Sequence, residues 1–197
     1  MSNITEQIPI QNFEIIRDRI VEILQDELTN QFVNESDLSL KNIKVYSERS
    51  IDFDKTELPA ISVDFDAMNL DSTEPEDPQN ELIFNIIVNT NAKSSVGIRG
   101  DEKAKKEAQK LIGMCRYILQ SPYNYRLRFD FGNSIVRYVQ VTVLQAIQAQ
   151  AADDGLHTSA AYLTLKVGSY ENNGALVPFA STGTDTNDGN TKLTVNN

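Results

Sequence analysis

The sequence predicts an α+β domain: a mostly antiparallel sheet of about five strands, two helices on one of its faces, a long C-terminal hairpin and a flexible tail. Three observations lead there. Two segments repeat apolar residues at three- and four-residue steps, the helical spacing. Several others alternate apolar and polar residues with period two, the strand spacing. Their order is helix, three strands, helix, two strands, which suits helices gathered on one sheet face. With 197 residues, 40% apolar and 23% charged, the composition is that of one globular domain. A chain this long buries enough surface to hold a core without disulfide or metal. The expected division is a single domain over residues 1–172 and a Thr/Asn/Gly-rich tail over 173–197.

The first helix is read from Asn12 to Thr29, where Phe13, Ile16, Ile20, Ile23, Leu24 and Leu28 form one stripe and Asn12 is the expected N-cap. A short strand comes next at Ile43 to Arg49. Pro59 then opens a second strand, in which Ile61, Val63 and Phe65 alternate with Ser62, Asp64 and Asp66. Met68 to Asn80, with Pro75, Pro78 and four carboxylates, reads as an exposed loop. The strand Glu81 to Asn91 sets Leu82, Phe84, Ile86 and Val88 on one face, yet carries Ile83 and Ile87 on the other. A strand apolar on both faces is covered on both, by its own chain or by another subunit.

The second helix is expected from Gly100-Asp101 to about Gln120, with Ser121-Pro122 ending it. Its stripe is Ala104, Ala108, Leu111, Cys115, Ile118 and Leu119. Ile135 to about Gln148 and Thr158 to Tyr170 are the last and longest strands, and the phase of the first slips near Leu144 as a bulge would cause. Asp153-Asp154-Gly155 between them is a turn signal, so the two are expected to pair as a hairpin. Beyond Tyr170 little remains that has a core to join.

Charge is segregated along the chain. Asp52 to Glu81 holds ten carboxylates against Lys55 alone, net −9 of a total −10. Arg99 to Arg137 holds nine Lys or Arg against four acids, net +5. Such asymmetry suits head-to-tail self-association, although two solvated surfaces would look the same in sequence. A net charge of −10 argues against a sequence-independent grip on phosphate backbones. No apolar run is long enough to span a membrane, no secretory signal opens the chain, and a lone cysteine suits a reducing compartment.

Chemistry-bearing patterns are few. The single histidine, His157, lies beside Asp153 and Asp154, but three ligands at a hairpin tip have neither helical nor Cys/His metal spacing. Cys115 sits in a helical apolar stripe, the place of a small core residue. No phosphate loop, dinucleotide fingerprint or nucleophile elbow occurs. Asp64 and Asp66, at period two on one strand, could share a divalent ion in a metal-dependent nuclease. That chemistry also wants an acid and a lysine on the next strand, and Leu82 to Asn89 offers asparagines instead. Arg126, Arg128 and Arg137 are interleaved with Tyr123, Tyr125, Phe129, Phe131 and Tyr138. The acidic total favours a strand approach with aromatics inside and arginines outside, or a contact with protein carboxylates, over base stacking. Neither an enzymatic site nor a bound metal or cofactor is expected.

The order of these elements resembles the tail terminator, or tail completion, proteins of long-tailed bacteriophages. The resemblance rests on the opening helix from Phe13, the strand Ile43–Arg49, Leu58-Pro59-Ala60-Ile61-Ser62-Val63, the acidic loop, the strand Glu81–Asn91, the helix Lys103–Leu119 and the closing hairpin to Tyr170. It covers roughly residues 10–172 and is one of pattern. It implies a virion protein at the head–tail junction, assembled in the host cytoplasm as a homohexameric ring. Such a ring ends tail-tube polymerisation, touches the tube protein and the head connector, and passes DNA without binding it specifically. The neighbouring reading is another neck or head-completion protein; a small nuclease is the alternative from a different class. On the ring reading, Ile83, Ile87, Arg126, Arg128, Arg137, Asp153 and Asp154 are the expected self-association or partner contacts. Asp71, Glu74, Glu76 and Asp77 are the expected lumen or interface carboxylates.

Overall fold

The computed structural model describes residues 10–33, 42–49, 53–54, 56–71, 79–95, 97–129, 135–147, 150–151 and 156–170. The chain is α+β. Helix α1 spans Asn12–Phe32, followed by strands β1 Lys44–Ser47, β2 Ala60–Asp71 and β3 Gln79–Lys93. Helix α2, Gly100–Gln120, leads through a 3-10 segment at Pro122–Arg128 to strands β4 Val136–Ala146, β5 Gln150–Ala151 and β6 Leu156–Tyr170.

The strands form one mixed sheet in the order β1-β2-β3-β6-β4, with β5 continuing alongside β6. β1 runs parallel to β2, while β2–β3, β3–β6 and β4–β6 are antiparallel. Residues 148, 149 and 152–155, which include the expected turn Asp153-Asp154-Gly155, lie outside the described residues, as do 171–197.

Both helices lie against the face that the period-two pattern assigns to the core. Leu82, Phe84, Ile86 and Val88 of β3, with Leu163, Leu165 and Val167 of β6, are fully buried. They share one cluster with Ile16, Ile20, Ile23 and Leu24 of α1 and Leu111, Ile112 and Cys115 of α2. Phe13 stacks on Phe65 at 4.6 Å, and Phe65 meets Phe84 edge-on at 5.8 Å, so α1 is fixed to the sheet by a chain of rings. Burial pushes the Cys115 thiol up to about 12, so this side chain behaves as a small core residue and stays a thiol at neutral pH.

Several boundaries differ from expectation. Helix α1 starts with Gln11 as its N-cap, whose amide donates to Glu14 Oε2 at 2.9 Å. Asn12 is the first helical residue, and its side chain goes elsewhere. β2 and β3 each run further than expected, so Met68 to Asp71 and Gln79 to Asn80 belong to a strand pair and not to a loop. Cross-strand partners outweighed local polarity there. β4 carries register shifts at Val136/Tyr138 and Val141/Val143, the second just before the expected slip at Leu144.

Candidate functional site

Opposite the helices, the sheet presents a second face that no described helix covers. On it Ile83 pairs with Lys166 and Ile87 with Tyr162 in the β3–β6 register, and both isoleucines are only half-buried. The two-sided β3 strand is thus filled by helices on one side and left partly bare on the other.

Glu81 organises one end of this face. Lys166 Nζ lies 2.8 Å from Glu81 Oε1, Asn69 Nδ2 donates to the same oxygen at 3.3 Å, and the Tyr138 hydroxyl donates to Oε2 at 3.3 Å. The Lys166 bond, more than any other contact, holds the Glu81 carboxyl below its ordinary range. Tyr138 lies across the chain from Gly168, and a Cβ on Gly168 would run into the tyrosine ring. The glycine is therefore the space in which that ring lies flat on the sheet.

Asp64 and Asp66 do not form a metal pair of regular strand geometry. The β2–β3 register shifts between Phe65 and Ala67, so Asp66 is an unpaired bulge residue. Asp64 accepts a short hydrogen bond from the Ser62 hydroxyl. Desolvation lifts the Asp64 carboxyl above its ordinary value, Glu48 adds to the lift, and the Ser62 bond opposes it. Among the described residues no group of three or more His, Cys, Asp or Glu side chains gathers as a metal site would require.

The arginines separate. In the 3-10 segment Arg126, Leu127 and Arg128 all take left-handed backbone, with φ of 54°, 53° and 58°. Each such residue costs roughly 1–2 kcal/mol, and the surroundings over-determine the turn. Leu127 is fully buried, its carbonyl accepts from Arg19 Nε at 3.1 Å, and Arg128 donates to Asn124 Oδ1 at 2.7 Å and pairs with Glu27 of α1. Arg128 is thus occupied within the chain, while Arg126 lies 5.2 Å over the Tyr125 ring. Arg137, at a β4 bulge, lies 5.4 Å over Tyr170.

The tyrosines of this segment are not inside, contrary to expectation, whereas Phe129 packs partly buried against the core and Phe131 lies outside the described residues. Tyr123 is 89% and Tyr125 56% exposed, and Leu127 takes the core position instead. With Tyr117, 79% exposed, Tyr123 rims a groove of about 480 Å³ between α1 and α2, floored by Met114, Ile118 and the open side of Gly113. Exposed tyrosines around a groove are a common composition for protein contact surfaces.

Of the residues expected at contacts, Ile83 and Ile87 share the bare sheet face, whereas Arg126, Arg128 and Arg137 occupy distinct places around its helix side and edge. Asp71 is the last residue of β2, opposite Gln79, and not part of a loop. Glu74, Glu76, Asp77, Asp153 and Asp154 lie outside the described residues. The Glu81–Lys166–Tyr138 cluster and the tyrosine-rimmed groove were missed by sequence reasoning. Only the Gly168 break in an otherwise regular strand signalled the first.

No protein-family model and no curated protein matches this chain. Among the described residues, no helix is long and apolar enough to cross a membrane.

Proposed function

We propose that this chain is a structural virion protein of a long-tailed bacteriophage, a tail terminator that assembles as a homohexameric ring at the head–tail junction. On this reading it ends tube polymerisation, joins the tail to the head connector, and works through contacts alone, with no catalysis and no cofactor. The sheet is mostly antiparallel in this reading and closes on a long C-terminal hairpin that adds to the contact surface. The element order supports the reading. The observation that carries it is the sheet face opposite the helices, where β3 exposes Ile83 and Ile87 in part and no described helix lies over them. Two half-bare isoleucines set among Glu81, Asn85 and Asn89 make a mixed surface that gains by meeting another subunit.

The test is negative-stain imaging of the purified chain over rising concentration, alone and with tail tubes. Six-fold rings that cap tube ends are expected, and Ile83→Asn with Ile87→Asn should abolish them. A chain that neither forms rings nor binds tubes would overturn the reading. Binding to connector particles with indifference to tubes would replace it with a head-completion protein.

A further inference from the structure

The two edges of the sheet are treated differently. The β1–β2 edge is short, and side chains already hold several of its backbone groups. Gln25 of α1 brackets β1: its Oε1 accepts from Val45 N at 2.9 Å and its Nε2 donates to the Ile43 carbonyl at 3.2 Å. One step on, the Glu48 carboxylate accepts from Phe65 N at 2.8 Å, and the bulge at Asp66 breaks the regular run of β2. These are the devices by which proteins stop an edge from pairing with another chain.

The β4 edge carries far less protection. It is an 11-residue strand whose only sheet neighbour among the described residues is β6. Its sequence has no proline, its one charged residue, Arg137, is set in the first bulge, and the second bulge, at Thr142, leaves Val143 to Ala146 in unbroken register with β6. Ile147 N donates to the Ala160 carbonyl at 2.7 Å. Strand alternation therefore aims the amides of Gln145 and Val143 at β6, and those of Leu144 and Ala146 away from it. Around them Val143, Leu144 and Ile147 are 42%, 45% and 42% exposed. Leu144 pairs with the buried Leu163, so it lies on the core-facing side, past the cover of the helices.

We infer that the β4 edge pairs antiparallel with the β4 edge of a second copy of this chain, about a two-fold axis near Leu144. An extended backbone satisfies outward strand amides and carbonyls together, in a single ladder. The opposite edge of another copy is less able to supply it, because Gln25 holds groups along β1 and Glu48 holds the Phe65 amide of β2. Charge points the same way. A chain of net −10 repels its own copies, yet residues 138–147, Tyr-Val-Gln-Val-Thr-Val-Leu-Gln-Ala-Ile, carry no charge at all. Pairing there buries Leu144 against its counterpart and continues one sheet across two subunits. The contact needs nothing from the tail-terminator reading and is separate from the Ile83–Ile87 face.

The test is sedimentation velocity of the full chain over rising concentration, with hydrogen exchange read at single amides. The expected result is a concentration-dependent dimerisation step, of single subunits or of rings, with the Leu144 and Ala146 amides slowing as it proceeds. Leu144→Lys places like charges at the axis, and Ala146→Pro removes an outward donor without touching the bonds to β6. Each should weaken dimerisation at least about tenfold while circular dichroism and the melting temperature stay close to those of the unaltered chain. Ile87→Asn should leave this dimer intact even if it abolishes rings. A chain that is monomeric throughout, or a dimer that survives both β4 substitutions, overturns the inference.

Discussion

Asn12 Nδ2 donates to the Tyr170 carbonyl at 2.8 Å, so the first residue of α1 holds the last residue of β6 across 158 positions of chain. On the other side of Tyr170, its amide donates to the Ile135 carbonyl at 3.0 Å, and Arg137 lies over its ring. The end of the central strand is thereby fastened to the opening helix and to the start of β4. Asn12→Ala should lower stability by about 1 kcal/mol, the usual worth of one such bond. Asn12→Asp should cost more, because it sets a carboxylate against a carbonyl. Urea unfolding of both variants checks the order, and equal losses would show that the donor is not what matters.

Glu81 makes stability depend on acidity in a defined direction. Its carboxyl titrates lower in the folded chain than in the unfolded one, chiefly through Lys166. The stabilisation is therefore complete above the ordinary carboxylate pKa of about 4.3, and it is lost as pH falls through the lower, folded value. Glu81→Gln should be less stable than the parent at neutral pH, and the two should converge under acid. Melting temperatures across that range test this.

Asp64 acts in the opposite sense. Burial raises its carboxyl, so ionisation opposes folding at neutral pH, and that penalty is relieved as pH falls through the raised value. Asp64→Asn should therefore be no less stable than the parent at pH 7, since the amide oxygen can still accept from Ser62. A marked loss of stability would mean that the charge has a favourable partner.

Gly168 and Tyr138 should be energetically coupled. Gly168→Ala forces the Tyr138 ring off the sheet and away from Glu81, which should destabilise by about 1 kcal/mol, in the usual range for a displaced neighbour. On a Tyr138→Ala background the same change should be neutral or favourable, because alanine suits a strand better than glycine. A double-mutant cycle with no coupling would sink this account.

The face of β3 distinguishes core from contact. Phe84→Ala empties a fully buried site and should cost about 3–5 kcal/mol. Ile87→Asn on the half-bare face should cost far less in stability, while changing the assembly state. Chemical denaturation paired with particle imaging separates the two effects.

Periodicity alone determined the α+β order, the helical stripes of Ile16, Ile20, Ile23 and Leu24 and of Leu111 and Cys115, and the inward row Leu82, Phe84, Ile86 and Val88. Those patterns repeat the geometry of an element, so they are written locally. Only the tertiary structure decided that β1 is parallel to β2, that Met68–Asp71 pairs with Gln79–Leu82, and that Leu127 rather than the neighbouring tyrosines enters the core. It also decided that Gln25 and Glu48 close one sheet edge while β4 keeps the other. Each of these depends on which partner lies across a gap of many residues, and the energy of pairing belongs to both sides at once.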